Sequence, residues 1–103
     1  MQAMQQLQLM QQKMAEAQQA LNNMFVTEEI GGGLVRITAN GHGLVTKLEI
    51  KPEAVGGDKE MLEDLLITAM NKVAASAKAM AASEIERATA GLMPNIPGMN
   101  LPF

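Results

Sequence analysis

The segment from Gly31 to Pro52 constrains the fold more tightly than any other part of the chain. It holds two short runs of alternating apolar and polar residues, separated by an Asn-Gly dipeptide and closed by a proline. The apolar residues are odd-numbered in the first run and even-numbered in the second. Opposing residues of a hairpin share one face of the sheet, so a single apolar face requires an even-numbered connection. Asn40–Gly43, or the inner pair Gly41 and His42, meets this condition, and the pattern therefore predicts an antiparallel hairpin.

A long helix is predicted on each side of the strands. Residues 2–24 contain neither Gly nor Pro, and their apolar positions alternate spacings of three and four, which is a heptad seam. A second helix is predicted over about 58–90, with Asp58 as N-cap and Gly91 as its end. Its length of roughly 45 Å exceeds what a sheet of ~17–20 Å strands covers. The seam of the first helix comprises Ala3, Leu7, Met10, Met14, Ala17, Leu21 and Met24.

The order of these elements predicts one α+β domain over residues 1–91. A three-stranded antiparallel sheet, with strands at about 25–30, 34–39 and 44–51, is expected between the two helices. Residues 92–103 contain three prolines and no charge, and an irregular tail is expected there. The apolar face of the hairpin is expected to lie beneath the start of the second helix. Val35, Ile37, Leu48 and Ile50 are expected to point inward there. The full set that shares this face is Val35, Ile37, Ala39, Leu44, Thr46, Leu48 and Ile50.

Several functional classes find no support in the sequence. The chain has no cysteine, and its single histidine, His42, lies between two glycines, so neither a nucleophile–base pair nor a zinc site is expected. Gly31–Gly33 lacks the Gly-Lys-Ser/Thr ending of a phosphate-binding loop and precedes a strand, so a turn is expected instead. The start does not resemble a signal peptide, and no apolar run could span a membrane. A cytoplasmic protein without enzymatic activity, cofactor, metal or small-molecule substrate is therefore expected.

Five motifs in order give the sequence a resemblance to a known family. They are GLVRITANG at 33–41, LEIKP at 48–52, KEMLEDL at 59–65, AMN at 69–71 and PGMNLPF at 97–103. This set resembles the YbaB/EbfC nucleoid-associated family. The resemblance implies a small bacterial homodimer with an α-β-β-β-α protomer. It also implies binding to double-stranded DNA with low sequence specificity, in the nucleoid, with an effect on nucleoid organisation and gene expression.

The charge distribution favours DNA binding less clearly than the motifs do. The net charge is -3, whereas dedicated DNA-binding proteins usually present a basic surface. Some basic residues have the parity opposite to the apolar set, so they share the polar face of the hairpin, and others lie along the helices. A solvated polar face would have the same composition. The candidate phosphate-contacting residues are Arg36, Lys47, Lys51, Lys13, Lys78 and Arg87.

The apolar helical surface predicts an interface between two copies of the chain. The heptad seam and the overlong second helix carry more apolar surface than one sheet covers, although the first helix could also pack on its own protomer. A second functional hypothesis remains open, a dimeric protein-interaction adaptor or chaperone-like module that does not contact DNA directly. Besides residues of the hairpin, those predicted for the dimer interface are Leu7, Met14, Leu21, Leu62, Leu66 and Val73.

Overall fold

The computed structural model of the protein describes residues 2–90, and the expected tail and the Gly91 helix stop lie outside them. The order of the main elements is α-β-β-β-α, as predicted. The elements in chain order are α1 (Gln2–Ala20), a 3-10 helix (Leu21–Asn23), β1 (Phe25–Ile30), β2 (Val35–Asn40), β3 (Val45–Ile50), α2 (Pro52–Val55) and α3 (Lys59–Thr89).

Helix α2 was not expected from the sequence, which we interpreted as a strand running straight into the long helix. Pro52 opens this short helix as its first residue, a position where the missing N–H is no loss and the fixed φ suits the helix. The start of α3 is as predicted, because the Asp58 carboxylate accepts a hydrogen bond from the Glu60 backbone N–H at 3.1 Å.

The three strands form one antiparallel sheet in the order β1-β2-β3. Ile37 lies opposite Leu48, so odd residues of β2 face even residues of β3, as the hairpin parity predicts. The register then shifts, and Ala39 lies opposite Val45 instead of Thr46. A bulge adds an unpaired residue to one strand and so reverses the facing rule beyond it. The expected alternation of Leu44, Thr46 and Leu48 on one face is therefore interrupted at the bulge, where Val45 takes the position opposite Ala39.

The connections between strands use glycine where the backbone requires it. Gly31, Gly32 and Gly33 have φ values of 67°, 69° and 90°, in the left-handed region that side chains with a Cβ rarely adopt. In the second connection, the Asn40 side-chain oxygen accepts hydrogen bonds from the backbone N–H groups of His42 at 2.9 Å and Leu44 at 3.1 Å. The side chain thus stabilises the hairpin turn together with the backbone hydrogen bond from the Gly43 N–H to the Asn40 carbonyl oxygen at 2.9 Å.

The core lies between α3 and the inner face of β1 and β2. Val35, Ile37 and Ala39 from β2 pack against Ala69 and Val73 of α3, and all five are buried. The small Ala69 side chain lets the helix approach the sheet closely. A ring of partly buried apolar side chains surrounds this cluster, namely Val26, Ile30, Leu62, Leu65 and Leu66.

Strand β3 lies outside the area that α3 covers. The helix packs mainly on β1 and β2, so Leu48 remains 48% exposed although it faces the same side of the sheet as Ile37. The expectation that Leu48 is buried beneath the start of the long helix is therefore wrong for the single chain. Leu44 and Val45 are exposed as well. One protomer thus presents an uncovered apolar strand at the sheet edge.

Helix α1 is held to the sheet by Leu21, just beyond its last turn. Leu21 is buried, and the Gly41 backbone N–H donates a hydrogen bond to its carbonyl oxygen at 2.9 Å. The His42 ring Nε2–H donates a second hydrogen bond, to the Gln18 carbonyl oxygen at 2.9 Å. A Cβ on Gly41 would lie 2.6 Å from Leu21 Cδ2 and 2.9 Å from its carbonyl oxygen. The hairpin turn therefore meets the helix at a place where only glycine fits.

We predict that Gly41→Ala destabilises the protein by about 1–3 kcal/mol, because the added methyl group must displace both the Leu21 side chain and its backbone. Gly56→Ala is the matched control. Gly56 has a φ of -78°, and its added Cβ would come no closer than 3.7 Å to other atoms. Urea unfolding followed by circular dichroism measures both. Equal midpoints for the two variants would show that the contact tolerates a side chain.

Candidate nucleic-acid interface

The outer face of the sheet carries cations that are already matched by carboxylates. Arg36 lies opposite Glu29 of β1 and Glu49 of β3, at the centre of a three-strand row. Its Nε donates a hydrogen bond to Glu29 Oε1 at 2.7 Å, and this bond raises the pKa of Arg36 above its ordinary value. Lys47 Nζ lies 3.6 Å from a Glu49 carboxylate oxygen. These two cations therefore contribute little net positive potential to this face.

Lys51 differs from the other two sheet cations because it makes no salt bridge within residues 2–90. It follows β3 and lines an open groove of about 410 Å³ that also contains Arg36, Gly32 and Gly33. Glu29 and Glu49 line the same groove. The groove is thus of mixed charge and offers a phosphate at most a local contact.

The second group of cations lies where α1 packs against α3. Lys13 and Arg87 line one groove of about 380 Å³ between the two helices. Lys13 Nζ is 3.6 Å from Glu16, and Arg87 donates hydrogen bonds to Glu84. The Glu84 carboxylate is largely buried, and the Arg87 hydrogen bonds lower its pKa. The Arg87 side chain nevertheless remains 72% exposed, so its outer edge stays accessible.

Among the candidate cations on the helices, Lys78 is the one whose charge is least neutralised by neighbouring carboxylates. It is exposed, lines a groove with Gln18 and His42, and forms no salt bridge in the described part of the chain. Lys72, which precedes it on α3, was not among the sequence candidates. It lies 3.8 Å from Glu28, a partly buried carboxylate on the inner sheet face that also accepts a hydrogen bond from Ser76. Lys72 and Ser76 are four residues apart and so share one face of α3, which is why both reach Glu28.

Charge is segregated along α3. The N-cap and the first turns hold four carboxylates and one lysine. The part from Lys72 onward holds three cations and two carboxylates. The six predicted cations therefore fall into two groups in the structure, one on the sheet and one on the helical arms. We name the latter, formed by α1 and the second half of α3, the arm surface. Its three candidate cations are Lys13, Lys78 and Arg87.

The residues predicted for a dimer interface are also divided. Leu21 and Val73 are buried inside the protomer, while Leu62 and Leu66 border its core and are only partly covered. Leu7 is 52% exposed, and Met14 is half-buried. Their assignment to a subunit interface remains a prediction. The exposed apolar residues of β3 belong to the hairpin, which was also expected to contribute to the interface, and which of them are exposed depends on where α3 lies.

The geometry of residues 2–90 also bears on metal binding and on membrane insertion. No three His, Asp or Glu side chains in this range come together as they would around a metal ion. No helix in the same range is long and apolar enough to cross a membrane.

The arrangement is that of a small α+β binding protein with a helical arm projecting from an edge-exposed sheet. A family model described as the YbaB/EbfC DNA-binding family matches residues 1–92, and the chain belongs to this family. The resemblance inferred from the five motifs is thereby confirmed.

Similar proteins agree with this assignment. Nucleoid-associated protein BAV0915 of Bordetella avium is 42% identical over 100 residues, which cover 97% of this chain and 92% of that protein. A nucleoid-associated protein of Legionella pneumophila strain Corby is 45% identical over 94 residues, covering 91% and 82%. The crystal structure of the uncharacterized protein HP0035 from Helicobacter pylori shares the fold, with a TM-score of 0.68 at 23% identity. That alignment covers 75% of this chain and 82% of the other.

Proposed function

We propose that this protein is a nucleoid-associated protein that binds duplex DNA as a homodimer, chiefly through the phosphate backbone. The observation that carries the proposal is the match of residues 1–92 to a DNA-binding family. The relatives in Bordetella and Legionella bear the name nucleoid-associated protein, which supports a location on the nucleoid. A binding role without catalysis fits the open grooves of the sheet and the arm.

A homodimer would cover the apolar surface that the single chain leaves in water. Strand β3 lies at an edge of the sheet, with exposed Val45 and Leu48, and the exposed Leu44 precedes it. On α3, Met70 is exposed and lies one residue from the buried Ala69, so it adds apolar surface next to the core-facing stripe. An edge strand with exposed apolar side chains favours pairing with another chain. We propose that two copies pack through β3 and the first half of α3, with Leu62 and Leu66 at the border of the contact.

The arm surface is the better candidate for phosphate contact. On the sheet, Arg36 and Lys47 are held by Glu29 and Glu49, so a phosphate would have to displace carboxylates. On the arm, Lys78 has no salt bridge within the described range, and Arg87 is mostly exposed. A dimer would carry two arms and so double the number of these contacts.

Low sequence specificity follows from this chemistry. Lysine and arginine contacts to phosphate position a protein on DNA without distinguishing bases. Because the chain carries a net charge of -3, its overall field repels DNA, and binding depends on local cations. We therefore propose weak binding that is strongly reduced by salt.

We predict that Lys78→Gln combined with Arg87→Gln weakens duplex binding on unrelated sequences alike. The logarithmic salt dependence should become shallower by about 0.9 for each phosphate that the variant no longer neutralises. An electrophoretic mobility assay with a salt titration measures both effects. Arg36→Gln combined with Lys47→Gln is the matched control, which removes the same charge from the sheet face.

The outcome separates the alternatives. A larger loss of affinity in the control pair would place DNA on the sheet instead of the arm. No retention of duplex DNA by the parent protein at low salt would contradict direct DNA binding and leave a protein-interaction adaptor as the remaining function.

We predict that Leu48→Glu converts the homodimer to monomers at micromolar concentration. In a two-fold symmetric interface the substitution occurs twice, and each Leu loses roughly 1.5–3 kcal/mol of burial, so the dissociation constant should rise roughly 100-fold or more. Val55→Glu is the control, because Val55 is 63% exposed but lies in α2, outside the proposed contact. Sedimentation velocity distinguishes the species. A parent protein that sediments only as monomer would contradict the dimer itself.

A further inference from the structure

Glu84 is a buried carboxylate on the arm surface, where most charged side chains are exposed. It is 8% exposed and lines the groove between α1 and α3. From α1, Lys13 and Glu16 line the same groove and pair with each other at 3.6 Å. Within residues 2–90, Arg87 is the hydrogen-bond partner of the Glu84 side chain. Because a buried charge that loses its partner is strongly destabilising, we expect Arg87 to stay on Glu84.

Both members of this pair remain charged at neutral pH. The hydrogen bonds from Arg87 lower the pKa of the Glu84 carboxyl, although its desolvation acts in the opposite direction. The same hydrogen bonds raise the pKa of the Arg87 guanidinium above its ordinary value. Loss or gain of a proton therefore does not separate the pair near neutral pH.

Arg87 gives one edge of its guanidinium group to Glu84 and keeps the other edge accessible. Its Nε donates a hydrogen bond to Oε2 at 3.1 Å, and its Nη2 donates one to Oε1. The group is planar and carries five N–H donors, so the donors of Nη1 and the second donor of Nη2 point away from the carboxylate. The side chain is 72% exposed, which leaves this outer edge in solvent. Parallel N–H groups of this kind match the oxygens of a phosphate.

The arginine on the sheet is held differently. Arg36 also donates from Nε and Nη2 to one carboxylate, that of Glu29, but it lies opposite Glu49 on its other side. It therefore lies between two carboxylates, and a phosphate would have to displace one of them. Arg87 pairs with a single carboxylate at its back, so a phosphate can bind at the front without separating the pair.

We propose that Glu84 is a positioning residue for DNA binding, which holds the outer edge of Arg87 toward a backbone phosphate of duplex DNA at the groove that Lys13 also lines. This inference rests on the proposed function, since the role exists only if the arm surface contacts DNA. An arginine that is already held in place loses less side-chain freedom when it binds. Glu84 thus favours the binding of a polyanion although it carries a negative charge itself.

The substitutions Glu84→Gln and Glu86→Gln separate positioning from charge. Each removes one negative charge from the same end of α3, but Glu86 is exposed and forms no salt bridge within residues 2–90. Removal of a negative charge alone favours a polyanion, so Glu86→Gln should bind duplex DNA at least as tightly as the parent. Glu84→Gln should bind roughly three- to fivefold more weakly than Glu86→Gln, because an exposed ionic contact is lost. Electrophoretic mobility assays over a salt series measure both, and the salt dependence of Glu84→Gln should be shallower by about 0.9.

Repeating both substitutions in an Arg87→Gln background distinguishes positioning from a merely structural role. Positioning acts through Arg87, so the difference between Glu84→Gln and Glu86→Gln should vanish in that background. A distorted contact between α1 and α3 would also misplace Lys13 and Lys78, so a structural effect would persist. Arg87→Lys is a second test that leaves Glu84 in place. It keeps the charge but has no second edge, so it should bind DNA nearly as weakly as Arg87→Gln.

The results have distinct consequences. Tighter binding by Glu84→Gln than by Glu86→Gln overturns the proposal and makes Glu84 a competitor that keeps Arg87 from phosphate. Equal binding by the two variants overturns it, as does a difference that persists in the Arg87→Gln background. If Glu84→Gln does not fold, parent-like binding by Arg87→Lys overturns it instead. In all these cases the parent retains DNA, whereas a parent that retains none at low salt contradicts the proposed function and the positioning role together.

Discussion

Helix α3 lies across β1 and β2 instead of across the whole sheet, and this one placement determines which apolar surfaces remain exposed. The core of Val35, Ile37, Ala39, Ala69 and Val73 is complete with two strands and a helix. A straight helix has one apolar stripe and covers a limited width of sheet. The third strand is therefore structured by its hydrogen bonds to β2 while its inner face stays uncovered. The single chain therefore buries its central core fully but leaves apolar side chains of the edge strand β3 exposed.

The second determining contact joins the arm to the sheet. Leu21 and Gly41 approach so closely that a side chain at residue 41 would overlap Leu21. Hydrogen bonds from Gly41 and His42 to the carbonyl oxygens of Leu21 and Gln18 orient the end of α1 relative to the hairpin turn. Within residues 2–90, α1 packs otherwise on the second half of α3, so the hairpin turn helps to set the angle at which the arm leaves the sheet. A residue in a turn thereby influences a surface that lies along two helices.

The local parts of the structure could be predicted from sequence, and the parts set by packing could not. Hairpin parity and the Asp58 cap depend on neighbouring residues, so the pattern in the sequence was sufficient. The expectation that the strand ends near Pro52 is correct, but Pro52 also starts α2, which was not expected. The exposure of Leu48 depends on the lateral position of α3, which no periodicity encodes. The bulge at Thr46 likewise has no signature in the alternation of residue types.

The candidate site shows the same division. Parity placed Arg36 and Lys47 on the polar face of the hairpin, but only the strand register revealed that Arg36 lies between Glu29 and Glu49. A count of charges treats these residues as available, whereas an Arg between two carboxylates must exchange one of them for a phosphate. Such an exchange gains little free energy on an exposed surface, where ion pairs are worth ~0–1 kcal/mol. In a chain with a net charge of -3, a count of charges therefore does not distinguish Arg36 and Lys47, which are paired with carboxylates, from Lys51 and Lys78, which form no salt bridge within residues 2–90.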